Sequence, residues 1–250
     1  MTLQEFFREN PKTAIAFSGG VDSAYLLYAG IHYGAEVHAY YVKSAFQPQF
    51  ELDDALRLAN ELHAEMTVID ADVLSEPAVA SNPRDRCYYC KRVIFEKILN
   101  AAAADGFTVL LDGTNASDDA GDRPGMRALR ELEVKSPLRI CGLTKSAIRR
   151  LSKEAGLFTW DKPAYACLAT RIPTDEPITL EKLQATERAE DFLFGLGFTD
   201  FRVRRGTDGA ARLQFPENQL ERVLANRKTI VTELKKDYPS VVLDLEVRGE

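Results

Sequence analysis

The sequence predicts an α/β protein: a parallel sheet covered by helices, followed by a small α+β module. Three observations point there. Short apolar runs alternate with helical periodicity through the first two thirds of the 250 residues, the pattern of successive βαβ units. The first such run breaks through two glycines directly into a helix. Past Pro177 the texture changes to one long helix, two short strands, further helix and a closing strand.

Taken in order, Ala14-Ile-Ala-Phe17 reads as a buried strand that turns at Ser18-Gly-Gly-Val-Asp-Ser23. A helix follows, with Ala24, Leu26, Leu27 and Ile31 on its apolar side and Gly34 as its stop. Glu36–Val42 is a second strand. Phe50–Leu62 is amphipathic at helical spacing (Leu52, Ala55, Leu56, Ala59, Leu62), and Met66–Asp70 is a third strand. An irregular stretch punctuated by Pro77 and Pro83 leads to Cys87-Tyr-Tyr-Cys90 and a helix through Ala104, ended near Gly106. Thr108–Asp112 is a fourth strand; Gly113-Thr-Asn115 after it would share one rim with the first loop, because open α/β sheets present their ligand sites at strand carboxyl ends. Leu138–Leu143 is a further short strand, and Thr144 caps a helix over Lys145–Ala155. In the last part, Thr179–Leu196 is a long helix. Phe201–Arg205 and Ala211–Phe215 pair as strands, Glu217–Lys236 is helical, and Val241–Val247 closes the module. This gives domains 1–175 and 176–250.

The glycine turn is the chemically informative stretch. Where a strand passes through glycines into a helix N-terminus, unpaired backbone N–H groups and the positive end of the dipole converge, which makes an anion site. Gly19 and Gly20 let the main chain approach a phosphate with no Cβ in the way. Ser18 and Ser23 add hydroxyl donors around Val21, while Asp22 makes sense beside a phosphate if it orients the loop or helps hold Mg2+. No lysine follows the glycines, so this is not a Walker-type loop.

Composition narrows the partners. A net charge of −6 offers no global basic field for nucleic acid. No apolar run is long enough to span a bilayer, and the first residues lack the pattern of a signal peptide. The expectation is a cytoplasmic protein with no nucleic-acid or membrane partner. Four cysteines in that setting suggest metal or redox chemistry before structural disulfides.

Cys87 and Cys90 form a C-x-x-C ahead of a helix, a spacing that lets two thiolates reach one metal, though it also fits a redox pair or half a zinc site. Cys167 lies in a loop between prolines, where a thiol can react; Cys141 lies in an apolar run and reads as a buried, inert thiol. Three cysteines suit a 4Fe-4S cluster with its fourth iron open. A disulfide or zinc at Cys87 and Cys90, with Cys167 unrelated, is the alternative.

These features together resemble the LarE-type sulfur transferases, a family of PP-loop ATP pyrophosphatases. The likeness is carried by Ser18–Ser23, Gly113-Thr-Asn115, Asp122-Arg-Pro-Gly125, Ser136-Pro-Leu138, Ala166-Cys-Leu-Ala-Thr-Arg-Ile-Pro173 and Phe201-Arg-Val-Arg204, and it covers nearly the whole chain. It implies a Rossmann-like fold of the adenine nucleotide alpha hydrolase type with a C-terminal domain for substrate binding or oligomerisation. It implies adenylation, by ATP and Mg2+, of a carboxylate of pyridinium-3,5-biscarboxylic acid mononucleotide. Sulfur from sulfide or another donor then gives a thiocarboxylate, in biosynthesis of the nickel-pincer nucleotide cofactor. One branch of the family sacrifices the sulfur of a cysteine matching Cys167; the other holds a 4Fe-4S cluster on three cysteines, which Cys87, Cys90 and Cys167 match. The resemblance further implies phosphate-site roles for Arg202 and Arg204, an acidic role near the cysteine for Glu190, and a homo-oligomer; Arg171, four residues after Cys167, reads as a group that holds a phosphate or lowers the thiol pKa. Arg202 and Arg204 alternate on a strand and so share a face. The competing enzyme class, a PP-loop tRNA thiolase, calls for an RNA-binding extension that this acidic chain does not supply.

Overall fold

A computed structural model describes residues 1–118 and 124–247. Thr2 opens the chain with a capping box, its hydroxyl accepting from the Glu5 amide while the Glu5 carboxylate accepts from the Thr2 amide, and so starts helix α1 (Leu3–Glu9), absent from the sequence reading. Strand β1 (Lys12–Ala16), helix α2 (Val21–His32), β2 (Glu36–Lys43), α3 (Gln49–Glu61) and β3 (Glu65–Asp70) follow where the periodicity places them. A short α4 (Pro77–Ala80) precedes α5 (Arg86–Ala104), β4 (Leu110–Leu111), α6 (Pro124–Glu131), α7 (Pro137–Ile140) and α8 (Lys145–Glu154). The last part holds α9 (Leu180–Gly195), β5 (Arg202–Arg205), β6 (Ala211–Gln214), α10 (Leu220–Ala225), α11 (Arg227–Leu234) and β7 (Val241–Leu243).

The chain forms two compact units, Met1–Val73 with Asp85–Lys162 and Leu74–Arg84 with Pro163–Glu250, so the boundary expected near 175 falls inside the second. The first unit is a four-stranded parallel sheet in the order β3-β2-β1-β4. Ile15, Leu26, Leu27, Leu58, Leu111, Leu138 and Ile148 make its core. At roughly 25 cal/mol per Å2 of apolar area, burying such side chains supplies the main driving force for the fold. Two expectations need correction here. The fourth strand spans only Leu110–Leu111 rather than Thr108–Asp112, since the Asp112 amide turns aside to the Lys135 carbonyl at 2.9 Å. The run around Cys141 is helix α7, not a strand, because Pro137 is pre-set for a first helical position.

In the second unit β5 pairs antiparallel with β6, and β6 pairs parallel with β7. Phe198, Phe201, Phe215, Leu193 and Leu213 pack between this sheet and its helices. Strand β7 stops at Leu243 instead of running to Val247: Asp244 accepts from the Glu246 amide at 3.2 Å and bends the chain away.

Residues 74–84 join this unit through Asn82. It is 2% exposed, sits at φ 57°, and its side-chain amide donates to the Pro173 carbonyl at 2.7 Å. Asparagine tolerates the left-handed region better than alanine does. Asn82→Ala should therefore lower the unfolding free energy by about 1–2 kcal/mol of backbone strain and roughly 1 kcal/mol of lost hydrogen bond. Asn82→Gly should recover only the backbone part. Urea midpoints will decide, and an alanine variant as stable as the parent would refute the clasp.

Candidate active site

The strand order places the topological switch between β1 and β4, because the chain winds outward through β2 and β3 and then returns to the other side of β1. Ligands of open α/β sheets bind in the crevice there. The loops after both strands meet at that point. Gly20 is the N-cap of α2 and offers no side-chain cap, so the first amides of the helix keep their hydrogen-bonding capacity. The Ser23 hydroxyl accepts from the Ser18 amide and donates to the Gly20 carbonyl, both at 3.2 Å, closing the loop on itself, with the Ser18 hydroxyl 3.1 Å away. Gly19 lies at φ 70°, where a side chain would also meet Ala55 and the Glu51 carbonyl. Opposite, Gly113 packs so closely that a Cβ on it would stand 2.9 Å from the Ser23 nitrogen. Between the loops is a cavity of about 320 Å3 lined by Ser18, Gly20, Asp22, Ser23, Asp112, Gly113, Thr114 and Asp118, with Lys91 and Phe95 contributed by α5.

Sequence reading did not single out Lys91, although a signal was present. Cys87, Lys91 and Phe95 are spaced i, i+4, i+8 along α5 and share one side of it. The second cation missed is Lys145, at the first position of α8, whose ammonium donates to Asp22 Oδ2 at 2.5 Å. Burial pushes the Asp22 carboxyl upward; Lys145 pulls the other way and nearby Asp118 adds to the rise. Asp22 Oδ1 is buried with no hydrogen-bond partner. Asp112 accepts on both oxygens, from the hydroxyls of Ser136, at 2.6 Å, and Thr114. This donor set fits Mg2+, which is commonly bound through one or two carboxylates plus nucleotide phosphates rather than by an all-protein cage. Accordingly, among the described residues no group of three His, Cys, Asp or Glu side chains is placed to hold a metal alone. Of the Asp122-Arg-Pro-Gly125 motif, Asp122 and Arg123 lie outside the described residues.

The second unit centres on the loop carrying Cys167, at the start of a 3-10 turn over Leu168–Arg171. Arg171 and Glu190 form an ion pair with side chains 0% and 1% exposed: Nε to Oε1 at 2.8 Å and Nη2 to Oε2 at 3.2 Å. Burial draws the Arg171 pKa down, but the Glu190 hydrogen bonds and charge outweigh it, and the net direction is up. Glu190 also accepts from the Tyr165 hydroxyl and from the Val203 amide at 2.9 Å, while Arg171 donates to the Ala166 carbonyl at 3.0 Å. Arg202 donates to the Ala164 and Phe201 carbonyls, and Arg204 to the Thr170 carbonyl at 2.8 Å. The two arginines of one strand face thus both grip the loop that presents Cys167. Arg204 also lines a cavity of about 620 Å3 with Thr170, Arg171, Arg205, Thr207, Asp208 and Arg212.

All four cysteines are thiols. Cys87 is exposed and Cys90 half-buried on the first turn of α5, three residues apart and so on one side, and Arg86 Nη2 lies 3.7 Å from Cys87 Sγ. Cys167, in the other unit, is half-buried. As soft thiols these three match the donor chemistry of an iron–sulfur group, while among the described residues no three such side chains form a metal-holding group. Cys141, expected buried, is half-buried at the end of α7, and desolvation pushes its thiol pKa up.

No family model matches the sequence. An uncharacterised protein of Synechocystis sp. is 34% identical over 98% of this chain and 92% of its own length. The pyridinium-3,5-bisthiocarboxylic acid mononucleotide synthase of Lactiplantibacillus plantarum is 31% identical over 98% of this chain and 89% of its own. A tRNA-specific 2-thiouridylase of Thermotoga maritima is 26% identical over 58% of this chain and 52% of its own. With the parallel sheet and the glycine loop at its switch point, these relations define an enzyme of the ATP-dependent, PP-loop sulfur-transferring class. Within that class the chain belongs to the LarE-type family, that of the Lactiplantibacillus synthase. Among the described residues no helix is long and apolar enough to cross a membrane.

Proposed function

We propose that this enzyme adenylates a carboxylate of pyridinium-3,5-biscarboxylic acid mononucleotide and converts it to a thiocarboxylate. The reading rests on one observation above all: uncapped amides of α2, the Ser18 and Ser23 hydroxyls and the Asp22 carboxylate converge on the crevice between β1 and β4. Those amides and hydroxyls bind the polyphosphate of ATP, and Lys91 offsets its charge from the α5 side. Asp22 together with the phosphates would hold Mg2+, which would supply charge neutralisation for the leaving pyrophosphate. Arg204 with Arg205 and Arg212 binds the phosphate of the mononucleotide in the basic cavity. Arg202, Arg171 and Glu190 act as positioning residues that fix the Cys167 loop. Cys87, Cys90 and Cys167 would hold a 4Fe-4S cluster. When bound, it supplies a sulfur nucleophile without consuming a side chain.

Pyrophosphate release with the pyridinium mononucleotide and with tRNA, measured side by side, tests the substrate. Release only with tRNA would overturn the reading in favour of a thiolase. The sulfur route is tested by anaerobic purification and intact mass. Iron and sulfide should appear in 4Fe-4S proportion and fall in Cys87→Ala, and turnover should leave the chain mass unchanged. Loss of the elements of hydrogen sulfide from the chain, or full activity in Cys87→Ala, would instead show sacrifice of Cys167.

A further inference from the structure

The Lys145–Asp22 contact is unusual on two counts. Lys145 is the first residue of α8, where the positive end of the helix dipole disfavours a cation. Asp22 in turn is engaged through one carboxylate oxygen only, the other being buried with no hydrogen-bond partner. The pair is partly open, with side chains 34% and 21% exposed, so the ammonium has room to leave. Its backbone is nevertheless anchored. The Lys145 amide donates to the Ser117 hydroxyl at 3.0 Å and Thr144 caps the helix, which ties α8 to the loop after β4 that lines the nucleotide cavity.

We propose that Lys145 is an exchangeable counter-ion, which occupies Asp22 in the empty enzyme and is displaced by the divalent cation of the nucleotide onto its polyphosphate. A divalent ion competes with an ammonium for the same carboxylate. A lysine displaced at a helix N-terminus is unfavourable unless another anion receives it, and the arriving polyphosphate is that anion. Lys145 thereby supplies, from a distant helix, the phosphate-binding lysine that the Ser18–Ser23 loop lacks. No bond is made or broken in the exchange; one ion pair is traded for two.

The inference rests on ATP turnover at this crevice, and its signature is a split that loss of structure would not give. In Lys145→Met the full-length protein should bind Mn2+, the probe cation, about 3–10-fold more tightly in the absence of nucleotide, because the competitor for Asp22 is gone. Electron paramagnetic resonance of free Mn2+ reads this directly, without turnover. Substrate-dependent pyrophosphate release in the same variant should fall about 10–100-fold through kcat. Lys145→Arg, which keeps the charge, should recover most of the rate. Unchanged or weaker Mn2+ binding in Lys145→Met, or an undiminished rate, overturns the exchange. If the parent enzyme itself releases no pyrophosphate, the adenylation reading fails first, while tighter Mn2+ binding in Lys145→Met would still support the counter-ion role.

Discussion

Replacing Gly113 by alanine is expected to cut ATP-dependent pyrophosphate release about a hundredfold or more, the size of effect that a 1 Å misplacement at a reacting centre can produce. The new Cβ would stand 2.9 Å from the Ser23 nitrogen, closer than packed atoms allow, and a tight 3.3 Å from Asp22 Cβ. Neither neighbour is the loose end of a side chain, so the first turn of α2 has to move. That turn holds the amides that receive the phosphate and the carboxylate that serves the cation. Overpacking of this kind costs roughly 1–3 kcal/mol, which lowers the melting temperature by only several degrees in a chain of this size. The expected result is a folded protein with weakened ATP binding and nearly absent adenylation. A variant with parental pyrophosphate release would show that the β1 and β4 loops do not form one site.

The parts of this molecule legible in the sequence are those set by local pattern. Thr144 and Thr179 read as the starts of helices, and both side chains accept from the amide three residues on, each at 3.3 Å. The glycine loop is equally plain, because only a strand, two glycines and a helix in succession make that turn. What escaped was non-local. Lys145 reaches Asp22 across 123 residues of sequence, and nothing near either residue announces the other. Ser75 to Arg86 reads as an irregular stretch, yet buried Asn82 within it is fastened to Pro173, 91 residues away. Glu190 reads as an acidic group serving a reaction. The structure surrounds its carboxylate with Arg171, the Tyr165 hydroxyl and the Val203 amide, which is the environment of a strut. The same α9 pattern accommodates either role, since helical periodicity reports which side faces inward and not what it meets there.

That environment makes Glu190→Leu the most destabilising single change expected in the second unit. Removing one partner of a buried ion pair leaves the other charged and desolvated, at a cost of about 3–5 kcal/mol. Arg171→Met should cost a similar amount for the same reason, since both side chains are almost wholly buried. The double variant Arg171→Met/Glu190→Leu separates the pair from its surroundings. A hydrophobic replacement of an isolated pair is often neutral, but here the Val203 amide and the Tyr165 hydroxyl lose an acceptor and the Ala166 carbonyl loses a donor. Recovery should therefore be partial, leaving a deficit of roughly 1–3 kcal/mol for buried groups left unpaired. Glu190→Gln keeps an acceptor for Val203 and should fall between the parent and the leucine variant. Urea midpoints for the four proteins give the coupling energy. If Glu190→Leu stays within about 1 kcal/mol of the parent, a surface-like value, the strut is refuted; loss of sulfur transfer in that stable protein would then assign Glu190 to the chemistry itself.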